Sequence, residues 1–217
     1  ALPAPPETFR ALAEGLRGEL PVHAWASTVR VVLSLLWAMA LGTPAGILLG
    51  RSDWAHRFLA PLVYILYPVP KIVFLPVVIA LMHSNNTSKV FLIGFIIFFQ
   101  VLVTTRDAAR GISRQVITSV QSLGGSEWDL WVHVYLPAVL PSVLTALRLG
   151  VGTAIAVLFF AETFVTRHGL GAFLIEAWSR LNYPDMYAGI IAMGALGLAL
   201  YFVIDQLENR FCRWQRM

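Results

Sequence analysis

A few polar side chains stand inside otherwise apolar stretches of this chain, where the chemistry open to them is the handling of charge at low dielectric. Lys71 lies in YPVPKIVFLP, beside Pro68, Pro70 and Pro76. An ammonium at mid-membrane depth costs at least about 2–3 kcal/mol unless it is paired or hydrated. Lys71 is therefore expected to face a polar pathway and to favour an anionic solute there; the alternatives are that it snorkels or pairs with an acid such as Glu162. Each proline removes a backbone donor, so this segment is predicted to be bent or interrupted. Broken helices at that depth are tolerated where they line a watery cavity or are buried in protein; on the first of these readings Pro70 borders the pathway with Lys71. Gln100 and Thr104 are four residues apart and share a helix face, where they either line the same pathway or bond across helices. Glu162, in FFAETF, either contributes to an outer gate or pairs with a neighbouring cation.

None of these residues forms a catalytic set. The apolar stretches hold Ser34 but no histidine or aspartate pair to match it, and no phosphate-binding G-x-x-x-x-G-K-[ST] run is present. The histidines lie far apart and form no metal-ligand cluster. No cofactor is expected in this chain; transport driven by ATP would require another subunit to hydrolyse it.

A second group of residues must lie outside lipid. Arg106 to Leu136 is a polar island between two apolar segments, and its charged groups would each cost several kcal/mol in hydrocarbon. Ser119 to Leu123 and Trp128 to Val134 carry apolar residues at helical spacing, separated by Gly124 and Gly125. Two short helices on an aqueous face suggest a docking site for another protein. The glycines permit a tight backbone angle at little steric cost. Ser126 is placed to cap the second helix, with Glu127 and Asp129 favourable in its first turn. Leu123, Trp128 and Trp131 are then apolar anchors for a partner's groove, or the tryptophans anchor in headgroups. Leu136-Pro137 marks a change of direction into the next apolar segment.

The elements that carry these residues follow from composition. Of 217 residues, 58% are hydrophobic and 13% charged, against roughly 45–50% and about 25% in soluble domains; mean hydropathy is +0.71. An integral membrane protein is expected. The net charge of +4 does not point to nucleic acid, because the basic residues cluster at the ends of apolar runs. Five spans are predicted: Ser27–Gly50, Phe58–Met82, Lys89–Thr105, Leu140–Val165 and Met186–Gln206. Arg51, Arg57, Arg106, Arg110, Arg114, Arg210, Arg213 and Arg216 then share one side, and Arg10, Arg17, Lys89, Arg167 and Arg180 the other. The positive-inside rule puts the first set, the polar island and the C-terminus in the cytoplasm. Residues 1–26 are thus read as an outer segment; its position is explained by a preceding span or by translocation of a short tail. Gly42, Gly46 and Gly50 form a small-residue face for close packing within the bundle or across a dimer.

At the island the residues carry a resemblance. Gly124, nine residues, then Val134-Tyr135-Leu136-Pro137 is similar to the cytoplasmic "EAA" loop of ABC importer permeases. SLGGSEWDLWVHVYLPAVLPSVLTALRLGVG, RFLAPLVYILYPVPKIVFLPVVIAL, GTPAGILLG and FFAETF with GLG resemble the nitrate, sulfonate and taurine branch of that family. The resemblance implies an all-α membrane protein of the type I importer fold, with five transmembrane helices over 27–217 and a coupling loop at 106–137. It also implies two ATPase subunits that bind ATP and Mg, a second permease copy, a substrate-binding protein and a bacterial inner membrane. The naming acidic residue is absent at Thr118-Ser119-Val120; Glu127 or Asp129 is the candidate substitute. Ala172–Leu181 is expected to form a short interfacial helix in the gate region. The rival readings are a membrane anchor that recruits a cytoplasmic enzyme and an ATP-independent channel or carrier.

Overall fold

Apolar residues recur at helical spacing almost throughout, and the computed structural model is built of helices. These are α1 (Pro5–Arg17), α2 (Leu20–Arg51), α3 (Asp53–Leu66), α4 (Leu75–Met82), α5 (Asn86–Arg110), α6 (Arg114–Ser122), α7 (Glu127–Asp129), α8 (Leu136–Thr163), α9 (Leu170–Ser179) and α10 (Tyr183–Phe211). Tight 3₁₀ turns occupy Lys71–Phe74 and Arg213–Arg216, and a wider π-helical stretch, Leu130–Tyr135, joins α7 to α8. The structure describes residues 3–83, 85–164 and 166–216.

Among the described residues four helical runs are long and apolar enough to cross a membrane: Leu20–Arg51, Asn86–Arg110, Glu127–Thr163 and Tyr183–Phe211. The predicted span Phe58–Met82 is instead two shorter helices, α3 and α4, around an interruption. Pro68 and Pro70 have no amide hydrogen to continue α3, whose last regular bond runs from the Tyr67 amide to the Val63 carbonyl at 2.8 Å. Pro76 breaks nothing. It lies in the first turn of α4, where its missing donor would have had no intrahelical partner. The third predicted span, Lys89–Thr105, grows to the 25 residues of α5, because a helix continues through polar residues that a hydropathy reading excludes.

Two units make up the chain. The first comprises Ala1–Leu35, Lys71–Ile96 and Val151–Phe202. Its core gathers Leu20, Leu170, Leu174 and Met193, so α9 is seated by its apolar face. The predicted short helix at Ala172–Leu181 is this element, beginning two positions earlier at Leu170.

The second unit comprises Leu36–Pro70, Ile97–Gly150 and Val203–Met217, with Leu49, Val63 and Leu102 at its core. Here the glycine stripe packs α2 against α5. A Cβ at Gly46 would stand 2.6 Å from Thr105 Cβ and 2.8 Å from the Leu102 carbonyl, and one at Gly50 2.7 Å from Ala109 Cβ. No side chain fits without moving a backbone. Gly46→Ala is therefore expected to destabilise the detergent-purified protein by about 1–3 kcal/mol. Gly152→Ala, whose Cβ meets nothing within 4 Å, should change the thermal midpoint little. Equal midpoints for the two variants would contradict the close approach of α2 and α5.

Candidate functional site

In the second unit the polar island folds as two short helices about the glycine pair. Gly124 has φ +84°, a left-handed conformation that glycine adopts without strain. Gly125 is needed for a different reason: a Cβ there would stand 2.6 Å from Val120 Cγ1, while its amide donates to the Val120 carbonyl at 3.0 Å. Ser126 caps α7 as expected. Its hydroxyl accepts from the Asp129 amide at 3.2 Å, and the Ser126 amide donates to Asp129 Oδ2 at 2.8 Å. Each end thus satisfies a backbone donor of the other.

Beyond the cap the helix does not stop. Pro137 can donate nothing to the carbonyl four residues back, and its ring would crowd that carbonyl. The π-helical widening ahead of it lets the Leu136 amide reach the Trp131 carbonyl, so α7 and α8 form one helical run. The change of direction expected at Leu136-Pro137 is thus replaced by a widened helix with no loop.

Arg51, the last residue of α2, joins this run to its own helix. Its guanidinium pairs with the Glu127 carboxylate and lies over the rings of Trp131, 5.7 Å from the centroid, and Tyr135, 5.6 Å. Leu123 and Trp128 stay outside, 89% and 73% exposed. Trp131 is half-buried under Arg51, so of the three predicted anchors two are presented outward and one is turned in.

The first unit holds a different arrangement. Glu162, near the end of α8, is 1% exposed. Arg30 Nη1 donates to its Oε1 at 2.5 Å, the Ser27 hydroxyl lies 2.8 and 2.9 Å from its two oxygens, and the Gly171 amide donates to Oε2 at 2.9 Å. The Leu170 amide donates in turn to Ser27 Oγ at 2.8 Å. A carboxylate at the start of α9 meets the amides that a helix N-terminus leaves unbonded. The glycines follow from this: a Cβ at Gly171 would stand 2.8 Å from Glu162 Cβ. Arg30 also donates from Nε and Nη2 to Asn86 Oδ1, at 3.0 and 2.7 Å, which ties α2 to the start of α5.

Residues 42–216 match the family described as binding-protein-dependent transport system inner membrane component. The chain belongs to that family. This permease is 30% identical to the taurine transport system permease protein TauC of Escherichia coli K12, over 98% of its own length and 80% of the relative's. It is 25% identical to the nitrate import permease protein NrtB of a Synechocystis strain, over 88% of the chain and 69% of the relative. Its fold matches a chain of the MetNI methionine ABC transporter in an inward-facing conformation, with a TM-score of 0.74 at 16% identity, covering 91% of this chain and 98% of that one. The permease thus has the type I ABC importer fold, as expected.

The other predicted pathway residues are divided between the permease's two units. Lys71, buried in the 3₁₀ turn, belongs to the first with Glu162; Pro70, exposed at the helix break, belongs to the second with Gln100 and Thr104. Gln100 abuts Gly150 of α8, where a Cβ would lie 3.4 Å from its Oε1. Thr104 is half-buried on the same face of α5. The sequence reading passed over Arg30. Ser27, Arg30 and Ser34 recur at positions that share one helix face, and a cation in an apolar run needs a buried partner; those two signals together would have found it. Arg148, on α8 in the second unit, reaches Asp205 at 2.6 Å and Glu208 at 3.3 Å on α10, acids that sequence alone did not connect to it.

Proposed function

We propose that this permease subunit forms half of an ATP-driven import pathway for a small anion, and that α6, the glycine pair and α7 are its attachment to a cytoplasmic ATPase. The observation that carries this reading is the exposure of Leu123 and Trp128 on a turn held rigid by the Ser126–Asp129 cap and joined to α2 through Arg51. Large apolar side chains fully offered to water on an ordered loop suit a partner's groove. A push on that loop is delivered to two long helices at once, to α8 through the unbroken helical run and to α2 through the ion pair. Glu127 pairs with Arg51 and Asp129 accepts from the Ser126 amide, so both acids of α7 brace the loop in place of the one absent at Thr118.

In this reading the loop and the C-terminus are cytoplasmic, two copies of the permease enclose the pathway, and two ATPase subunits bind ATP and Mg and hydrolyse the nucleotide. A substrate-binding protein delivers the solute from the other side, and Pro70, Lys71, Gln100, Thr104 and Glu162 border the route. The solute class is supported by the taurine and nitrate relatives and by the cationic side chains buried in the first unit. Trp128→Asp is expected to leave the permease in the membrane at normal abundance while its affinity for the co-expressed ATPase falls at least about tenfold, the loss of one interface anchor. Co-purification on a tagged permease reads this directly. Undiminished ATPase capture would mean that Trp128 serves the lipid headgroups instead.

A further inference from the structure

The first unit encloses an open cavity of about 700 Å³ whose wall includes Arg30, Asn86, Lys89, Arg167, His168 and Trp25. We propose that it is a binding site for a small free oxyanion bearing a short apolar tail, of the sulfonate or carboxylate class. This rests on the reading of the chain as an anion permease and gives that reading a specific site near the outer ends of α2 and α5.

The charge is the first argument. Among the described residues no acid lines the cavity, whereas Arg30, Lys89 and Arg167 do. Glu162 stands behind the wall, paired with Arg30, so three cationic side chains meet one carboxylate and the wall keeps a net positive character. Depth is the second. Lys89 is 3% and Arg30 5% exposed, while Arg167 and His168 are exposed at the rim. Cations at the floor are reached only by something small enough to come in, which favours a solute over the face of a docking protein. Hydrogen-bond direction is the third. Asn86 Oδ1 accepts twice from Arg30, which commits the oxygen and leaves the amide nitrogen as the donor. Asn85 likewise spends its side-chain oxygen on the Ser88 amide, at 2.8 Å. Asn85 Nδ2 is itself spent on the Met82 carbonyl at 2.9 Å, so the Asn86 amide and the cations carry the donor side, which suits an oxyanion. Val22, Trp25 and Ala26 supply an apolar side for a short organic tail.

The test uses the permease–ATPase complex in nanodiscs of phosphatidylcholine, with radiolabelled ethanesulfonate as the probe and methylammonium as the cationic control. Saturable ethanesulfonate binding is expected, with no competition by methylammonium. Lys89→Met and, separately, the rim variant Arg167→Gln should each weaken it about tenfold, the loss of one charge-assisted contact. Retained ATPase capture reports that each variant is folded. Absence of saturable binding, or equal binding in wild type and both variants, overturns the site. So does loss of binding in phosphatidylglycerol nanodiscs, which would make a lipid headgroup the natural occupant. Weaker capture of the substrate-binding protein with unchanged ethanesulfonate binding would assign the cavity to protein docking and overturn it as well. If the complete assembly still imports anions normally in both variants, the site fails while the import function stands; if the wild-type assembly imports none, it is the import reading that fails.

Discussion

Gly124→Val is expected to reduce uptake by the assembled transporter at least about tenfold while leaving the permease in the membrane at near-normal abundance. At φ +84° a β-branched side chain is a genuine outlier, and strain of that kind costs on the order of 1–3 kcal/mol. The turn has no room to absorb it by shifting, because Gly125 behind it is already pressed on Val120. The strain is relieved only if the two short helices change their mutual direction, which carries Leu123 and Trp128 away from a common groove. A Cβ at Gly124 meets nothing within 4 Å, so the defect is conformational, not steric. Gly124→Asn is the discriminating control, since asparagine tolerates the left-handed region, and it should retain most of the uptake. Vesicle uptake and ATPase co-purification measured together decide the matter. Wild-type transport by the valine variant would mean that this bend carries no force.

The second large effect concerns the buried ion pair of the first unit. Arg30→Met leaves the Glu162 carboxylate inside without its counter-charge, and Glu162→Leu strands the guanidinium. Removing one partner of a buried pair costs about 3–5 kcal/mol, so either variant should lower the unfolding midpoint of the purified complex sharply. The double variant Arg30→Met with Glu162→Leu is expected to recover part of that loss, because two apolar side chains no longer hold an unpaired charge. Recovery stays incomplete. The Gly171 amide and the Ser27 hydroxyl lose their acceptor in the double variant too. A double-mutant cycle in denaturant separates the terms; strictly additive losses would mean that the two side chains do not act as a pair.

The polar island was legible in the sequence to a useful depth. Two helices about Gly124-Gly125, the Ser126 cap and the outward Leu123 and Trp128 all follow from local chemistry: turn residues, capping spacing and apolar periodicity. The interruption at Pro68 and Pro70 was legible for the same reason, since a missing donor acts on its own helix. Where within Phe58–Met82 the two helices α3 and α4 end and begin was not legible, because hydropathy does not register where a backbone stops. The continuity through Pro137 was missed because a proline between apolar runs suggests a boundary, and a π-helical widening has no distinct residue signature.

Composition and local pattern by themselves therefore determined a helical membrane protein with a polar, structured loop between two apolar segments, since burial in lipid and backbone satisfaction act on each segment separately. Which charges meet was decided by tertiary structure alone. Arg30 finds Glu162 132 positions away and Arg51 finds Glu127 76 away, and those pairings depend on how each helix is rotated and on which neighbour it packs against. The glycine stripe of α2 is intermediate: its spacing announced a close contact, but only packing chose α5 to make it.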